Sequence, residues 1–319
     1  MTSNNFLVSA VAANETTVSE AVGQYLDAYE GRDPTRVQRL AFWVKAYGDK
    51  PLASITIDDV EAGLKTLATQ PARVFSGKDV DGNPIFKAKT GKRAPATLNR
   101  YLISLAAMFT WARKNRVLPR NHESPTKFVD KYSEGRGRVR FLTEDERASL
   151  LEACHDSAWS RLYLLVLMAI TTGARRGELL GLLWQDVDLE RGEATLHDTK
   201  NGDRRVLILI APVIAELRKY CPKDGLTSKA LVFRSRLRPS QAYSTAKAFN
   251  IAVEQAGIKN FRFHDCRHCT ASYLAQHGAS LLEIADTLGH RQLRMVQRYA
   301  HLNTDSRKRL MSRVFEGRL

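Results

Sequence analysis

The stretch "LVLMAITTGARRGELLGLLW", residues 165–184, decides what kind of fold this chain adopts. The apolar run from Leu162 to Ile170 is too short to span a bilayer and follows Arg161, so it reads as a buried helix, stopped by Gly173 after two threonines. A second apolar-periodic helix begins at once and puts Arg175 in its first turn. Free backbone N–H groups and the positive end of the helix dipole lie there, and with a guanidinium they make an anion site. Glu178 is spaced to hold Arg175 through an i,i+3 contact. The competing reading of Arg175 is an ordinary surface charge.

Downstream, "GEATLHDTKNGDRRVLILI" (192–210) places two strand-like runs on either side of Asn201-Gly202, a strong hairpin signal because both turn residues tolerate positive φ. Lys200 then sits at the hairpin tip, either as a cation that enters a groove and donates a proton or as a solubilising charge. The segment "FRFHDCRHCTASYLAQHG" (261–278) offers two constellations. His264, Cys266, His268 and Cys269 are zinc-ligand types. On a helix, however, His264, Arg267, His268 and Ala271 share one face and Cys266, Cys269, Thr270 and Tyr273 the other, so the cysteines pack inward and the imidazoles and guanidinium face outward together. In "LGHRQLRMVQRYAHL" (288–302), Tyr299 stands among arginines between His290 and His301, and by itself favours packing, because a phenol of pKa about 10 is a poor nucleophile.

Upstream the pattern is helical. Thr17 and Glu20 form a capping-box pattern at the start of "TVSEAVGQYLDAYE", and helical spacing returns at 34–47, 56–67 and 96–114. "ARVFSGKDVDGNPIFKAKTGKRAPA" (72–96) reads as a long basic loop, a phosphate contact or a solvated insertion. The polar, glycine-punctuated "NHESPTKFVDKYSEGRGRVR" (121–140) reads as a linker, and Thr143 with Glu146 caps a new helix beyond it. The expected organisation is a flexible arm over residues 1–16, a helical domain over 17–122, a basic linker over 123–140 and a second domain over 141–319. The fold class is mainly α with a small β-hairpin or sheet.

Composition narrows the partner. The 319 residues exceed what one core usually organises, and 49 Lys and Arg against 34 Asp and Glu leave a formal charge of +15 spread along the chain, which suits a polyanion. Four scattered cysteines are too few for a disulfide framework and fit a reducing, cytoplasmic location. The first residues carry no basic leader before their short apolar run, so neither a signal peptide nor a membrane partner is expected. There is no Gly-x-x-x-x-Gly-Lys-Ser/Thr phosphate loop, no Gly-x-Ser-x-Gly elbow and no acidic cluster at metal-ligand spacing.

Taken in order, "TTGARRGELLGL", "TKNGDRRVLIL", "FHDCRHCTASYLAQHG" and "LGHRQLRMVQRYAHL" resemble the tyrosine recombinase family of the phage integrase type. The likeness covers the whole second domain, and the helical domain with its basic linker is similar to that family's core-binding module. The resemblance implies that Arg175 and Arg267 are paired catalytic arginines, Lys200 the hairpin lysine, His264 and His290 the histidine-box residues and Tyr299 the nucleophile. Glu178 and His268 are similar to supporting positions. Cys266 departs from the more usual aliphatic residue.

The function so implied is a site-specific recombinase that cuts and rejoins DNA strands through a covalent 3′-phosphotyrosyl intermediate, using no cofactor, ATP or metal. Its implied partners are double-stranded DNA recombination sites, with a homotetramer on two paired sites formed through the C-terminal helix, and accessory DNA-bending proteins as an open addition. The arm before Thr17 leaves little room for a separate arm-site-binding module, which favours simple sites bound in the nucleoid. The rivals are a type IB topoisomerase, which relaxes one duplex with the same residue types, and a DNA-binding regulator that keeps the fold without cutting.

Overall fold

The Thr17 hydroxyl accepts a hydrogen bond from the Glu20 amide while the Glu20 carboxylate accepts from the Thr17 amide, and this capping box starts α1, Val18–Asp27. The computed structural model to which it belongs describes residues 15–78, 84–88, 91–135, 138–197, 204–222, 229–235, 238 and 240–316. Helix α2 covers Arg36–Tyr47, α3 Ile57–Thr69 and α4 Pro95–Lys114. Helix α3 is capped in the same way by Thr56 and Asp59, whereas α4 opens on a proline, whose missing N–H would have had no helical partner anyway. Helix α4 packs against α1, α2 and α3, and Leu40, Trp43, Leu64, Met108 and Phe109 fill the space between them.

Residues 72–96 differ from the basic loop expected of them. Strands β1, Arg73–Lys78, and β2, Pro84–Ala88, pair antiparallel from Arg73 opposite Ala88 to Lys78 opposite Pro84, with a register shift between Phe75 and Gly77. Valine, phenylalanine and isoleucine at 74, 75, 85 and 86 favour extended backbone, and the short connection makes closure cheap; the surrounding lysines hid that signal. The polar segment that follows α4 is fastened to it. The Asn99 side-chain amide donates to the Tyr132 carbonyl (2.9 Å) and Glu134 (2.7 Å), and its oxygen accepts from the Tyr132 amide (2.9 Å).

By its internal contacts the chain divides into Met1–Gly137 and Arg138–Leu319. In the second unit the Thr143–Glu146 capping box opens α5, Glu144–His155, and the apolar run forms α6, Leu162–Thr172, ended by Gly173 at φ 64°. Helix α7, Arg176–Leu180, follows directly. Strands β3 (Val187–Asp188), β4 (Glu193–Leu196) and β5 (Arg205–Ile208) form an antiparallel sheet in that order, with Leu196 opposite Arg205 beside the turn. The turn itself, with Lys200, Asn201 and Gly202, lies outside the described residues.

Of the remaining helices, α8 (Ala211–Tyr220) and α10 (Asp265–Gln276) pack on α6, α9 (Ala246–Gln255) on α5, and α11 (Leu281–Leu288) on α10. Two short 3-10 turns, Leu293–Met295 and Gln297–Asn303, then lead into α12, Thr304–Phe315. The architecture is mostly helical with one small three-stranded sheet and the β1–β2 hairpin. Among the described residues no helix is long and apolar enough to cross a membrane.

Candidate functional site

Helix α10 corrects the expected outward face for its arginine, while His264, just before the helix, is exposed as expected and His268 is half-buried. Cys266 and Cys269 do pack inward, but Arg267 is only 4% exposed and Ala271 is fully buried, because α10 is covered by α6 on one side and by α11 and the Gln297–Asn303 turn on others. Several of its polar groups are paired instead of solvated, though the buried Ser272 hydroxyl has no hydrogen-bond partner among the described residues. Thr270 donates to the Ile170 carbonyl (2.7 Å), and the Asp265 carboxylate meets Arg138 (2.6 Å) and accepts from the Arg262 amide (2.8 Å). Burial pushes the Cys269 thiol up to about 11 and Cys266 well above its usual range, which disfavours the thiolates a zinc ion would need. No group of three or more His, Cys, Asp or Glu with metal-holding geometry occurs among the described residues.

The Arg267 guanidinium reaches out of α10 to donate to the carbonyl oxygens of Gly173 (2.7 Å) and Leu288 (2.5 Å). It thereby joins the C-terminal ends of α6 and α11. Gly173 has to be glycine twice over, since its φ is positive and a Cβ there would stand 2.5 Å from the Leu288 side chain. Arg175, at the N-cap of α7, donates from its guanidinium to Glu178 (2.6 Å), and its backbone amide bonds the other Glu178 oxygen (2.8 Å). Burial would raise the Glu178 pKa, but the bonds from Arg175 and the charge of Arg205 override it and hold the carboxyl below its ordinary value.

Arg205 is a third guanidinium that motif reading leaves out. It donates to Glu178 (2.9 Å) and to the Thr287 carbonyl (3.1 Å). A signal for it does exist in the sequence: Arg205 is in phase with buried Leu207 on β5, whereas Val206 and Ile208 point outward. Two guanidiniums thus bond one carboxylate, and Arg267 lies within their electrostatic reach. Burial first, then the charges of Arg175 and Arg205, lowers the Arg267 pKa to about 9.

Tyr299 lies in the Gln297–Asn303 turn, 2% exposed, with its hydroxyl hydrogen-bonded to Nδ1 of His268. Burial pushes the phenol up to about 12 against the opposing charges of Arg298 and Arg267. The His268 ring stands edge-on to His264, 5.5 Å between centroids. Burial, followed by neighbouring charges, depresses all three imidazoles, His268 and His290 to about 4 and His264 less far. At neutral pH they are uncharged, so each is a hydrogen-bond donor and acceptor and not a phosphate-binding cation. Arg175, Glu178, His264, Arg267, His268, His290 and Tyr299 therefore fall within one electrostatically coupled neighbourhood, while Lys200 is outside the described residues.

Residues 140–306 match the sequence profile of the phage integrase family, more than half of the chain. The chain belongs to the phage integrase family of tyrosine recombinases. This integrase-family chain is 31% identical over 237 residues to a shufflon-specific DNA recombinase of Escherichia coli, covering 71% of its own length and 58% of that protein's. It therefore spans little more than half of that relative. Among solved structures it is similar to the Tn1549 transposon integrase in complex with circular intermediate DNA (20% identity, TM-score 0.66, 93% of this chain and 99% of that one). It is also similar to a lambda integrase tetramer bound to a Holliday junction (19%, TM-score 0.64, 94% and 81%). At these identities the likeness carries the fold alone, and the integrase fold covers both units of the chain.

Proposed function

We propose that the protein is a site-specific recombinase that cleaves and rejoins DNA strands through a phosphotyrosyl intermediate. The single observation that carries this reading is the coupling of Arg267 to the Arg175–Glu178–Arg205 cluster in the same charge network as the buried Tyr299 hydroxyl. A phosphodiester is an anion that repels nucleophiles, and its transition state carries more negative charge still. Preorganised guanidiniums offset that charge with no reorganisation at the moment of reaction.

The sequence of events follows from the groups present. Tyr299 attacks phosphorus in line, and its proton passes to the hydrogen-bonded Nδ1 of neutral His268. The bond from phosphorus to a deoxyribose oxygen breaks, and the leaving hydroxyl takes a proton from Lys200. His264 and His290 supply hydrogen bonds to the phosphoryl oxygens. By family resemblance the link is to a 3′ phosphate and the freed end is a 5′ hydroxyl. Because the covalent link retains the phosphodiester energy, a second strand's hydroxyl reverses the attack without nucleotide hydrolysis.

Partner exchange needs more than one protomer, and we extend the proposal to a homotetramer on two paired DNA sites. The lambda integrase tetramer shares the fold, and α12 leaves Leu310, Met311 and Phe315 exposed, which suits a contact with a second copy. The test is to express the protein beside its own flanking DNA, denature, and sequence the ends of protein-linked fragments. A recurring junction, with protein on the 3′ phosphate and loss of the adduct in Tyr299→Phe, is expected. An absent adduct, or one that persists in Tyr299→Phe, overturns the reading.

A further inference from the structure

The Arg205 side chain lies between two of the elements that carry site residues, α7 and the end of α11. Its guanidinium bridges the Glu178 carboxylate on α7 (2.9 Å) and the Thr287 carbonyl at the end of α11 (3.1 Å), and its own backbone opens β5. Its aliphatic stem lies against Gly289, so closely that a Cβ there would stand 2.9 Å from Arg205 Cδ, and the next residue is His290. The side chain is 10% exposed, so a phosphate meets Arg175, at 25%, more readily than Arg205.

We infer that Arg205 is a positioning residue that sets Arg175 and His290 relative to one another by tying Glu178 to the end of α11. The inference rests on the strand-cleavage reading above. Two physical effects follow from the geometry. First, Glu178 bonds the Arg175 guanidinium through one oxygen and the Arg205 guanidinium through the other, which also accepts from the Arg175 amide, so its single negative charge is divided between two cations and Arg175 keeps more of its field for an incoming anion. Second, the planar fork reaches two acceptors on different elements from two nitrogens held a fixed distance apart, a span that the single nitrogen of an ammonium does not offer. Without Arg205 the buried carboxylate has Arg175 as its remaining ion-pair partner in this network, and the Thr287 carbonyl loses its guanidinium donor.

The experiment uses nicked DNA carrying the recovered cleavage junction, on which the released strand diffuses away and covalent product accumulates. The single-turnover rate at saturating protein, the apparent Kd from the same titration and the melting temperature are measured for wild type, Arg205→Gln, Arg205→Lys and Arg161→Gln. Arg161 is the control, a partly buried arginine that likewise donates to a backbone carbonyl, that of Val232, at the end of α6 opposite Gly173. Arg205→Gln is expected to slow cleavage by about 30-fold, in line with the cost of misplacing a reacting group, while Kd stays within about twofold. Arg205→Lys is expected to recover part of that loss, and Arg161→Gln to lower the melting temperature while cleaving at the wild-type rate. A wild-type rate in saturated Arg205→Gln, or an equal slowing in Arg161→Gln, overturns the inference. If Arg205→Gln does not fold, Arg205→Lys carries the test, and a wild-type rate there overturns it. A wild-type protein that leaves no covalent product overturns the strand-cleavage reading and this role with it, whereas a cleaving wild type beside an unimpaired Arg205 variant overturns this role alone.

Discussion

The two halves of the candidate site are built differently. The arginine half belongs to the large core of the second unit: Arg175 follows the C-terminus of α6, Arg267 projects from α10, and both are locked by a carboxylate or by backbone carbonyls. The tyrosine half sits in a separate small cluster of Ala271, Ile284, Leu288 and Val296, on a 3-10 turn whose hydrogen bonds are geometrically poorer than those of an α-helix. One half is a fixed electrostatic frame. The other holds a protonated phenol out of water by one imidazole and a handful of apolar contacts, so local opening costs less there than in the main core.

The largest effect that tests this contrast is Tyr299→Phe, which removes only an oxygen. Covalent product should fall by more than about 10³-fold, with DNA affinity and melting temperature nearly unchanged, because nucleophile and binding surface are different groups. Measurable adduct in that variant would mean that another residue attacks.

Next comes Arg267→Lys, which keeps the charge and breaks the frame. Cleavage should drop by about 10²–10³-fold, the usual cost of losing a transition-state donor. Stability should fall as well, since a carbonyl of Gly173 or Leu288 left unpaired costs about 1–3 kcal/mol. A lowered rate with unchanged melting temperature would show that the frame is less locked than the bonds suggest. Leu288→Ala acts on the other half, and its cavity should cost about 2–5 kcal/mol. Hydrogen exchange should then accelerate at residues 296–303 more than along α6. Uniform acceleration would erase the distinction between the two clusters.

The smallest effect is acid sensitivity. His268 and His290 stay neutral in the folded protein down to about pH 4, while in the unfolded chain they take up protons near their ordinary value of 6.5. Between those values the unfolded state binds more protons, so the stability these residues confer is complete above pH 6.5 and is lost as the pH falls toward 4. His268→Gln should flatten the melting-temperature profile across that window. An unchanged slope would show that His268 is charged in the folded state.

Much of this could be read from local signals, because local signals have local causes. Capping boxes at Thr17 and Thr143 name their own partners three residues away, and the Gly173 stop is written beside the helix it ends. The paired strands around Asn201-Gly202 were legible for the same reason. The β1–β2 hairpin was not, because its strand-forming residues are few and set among lysines.

By itself the sequence determined a mostly helical chain, a basic surface suited to a polyanion, and the residue types from which family membership follows. Tertiary structure alone decided that Arg267 is buried, since its two carbonyl partners lie 94 and 21 residues away. It also decided that Arg205 shares Glu178 across 27 residues and that His268, not a distant base, meets the Tyr299 hydroxyl across 31. Those pairings depend on how α6, α10, α11 and β5 pack, and no periodicity within a single segment encodes the convergence of four.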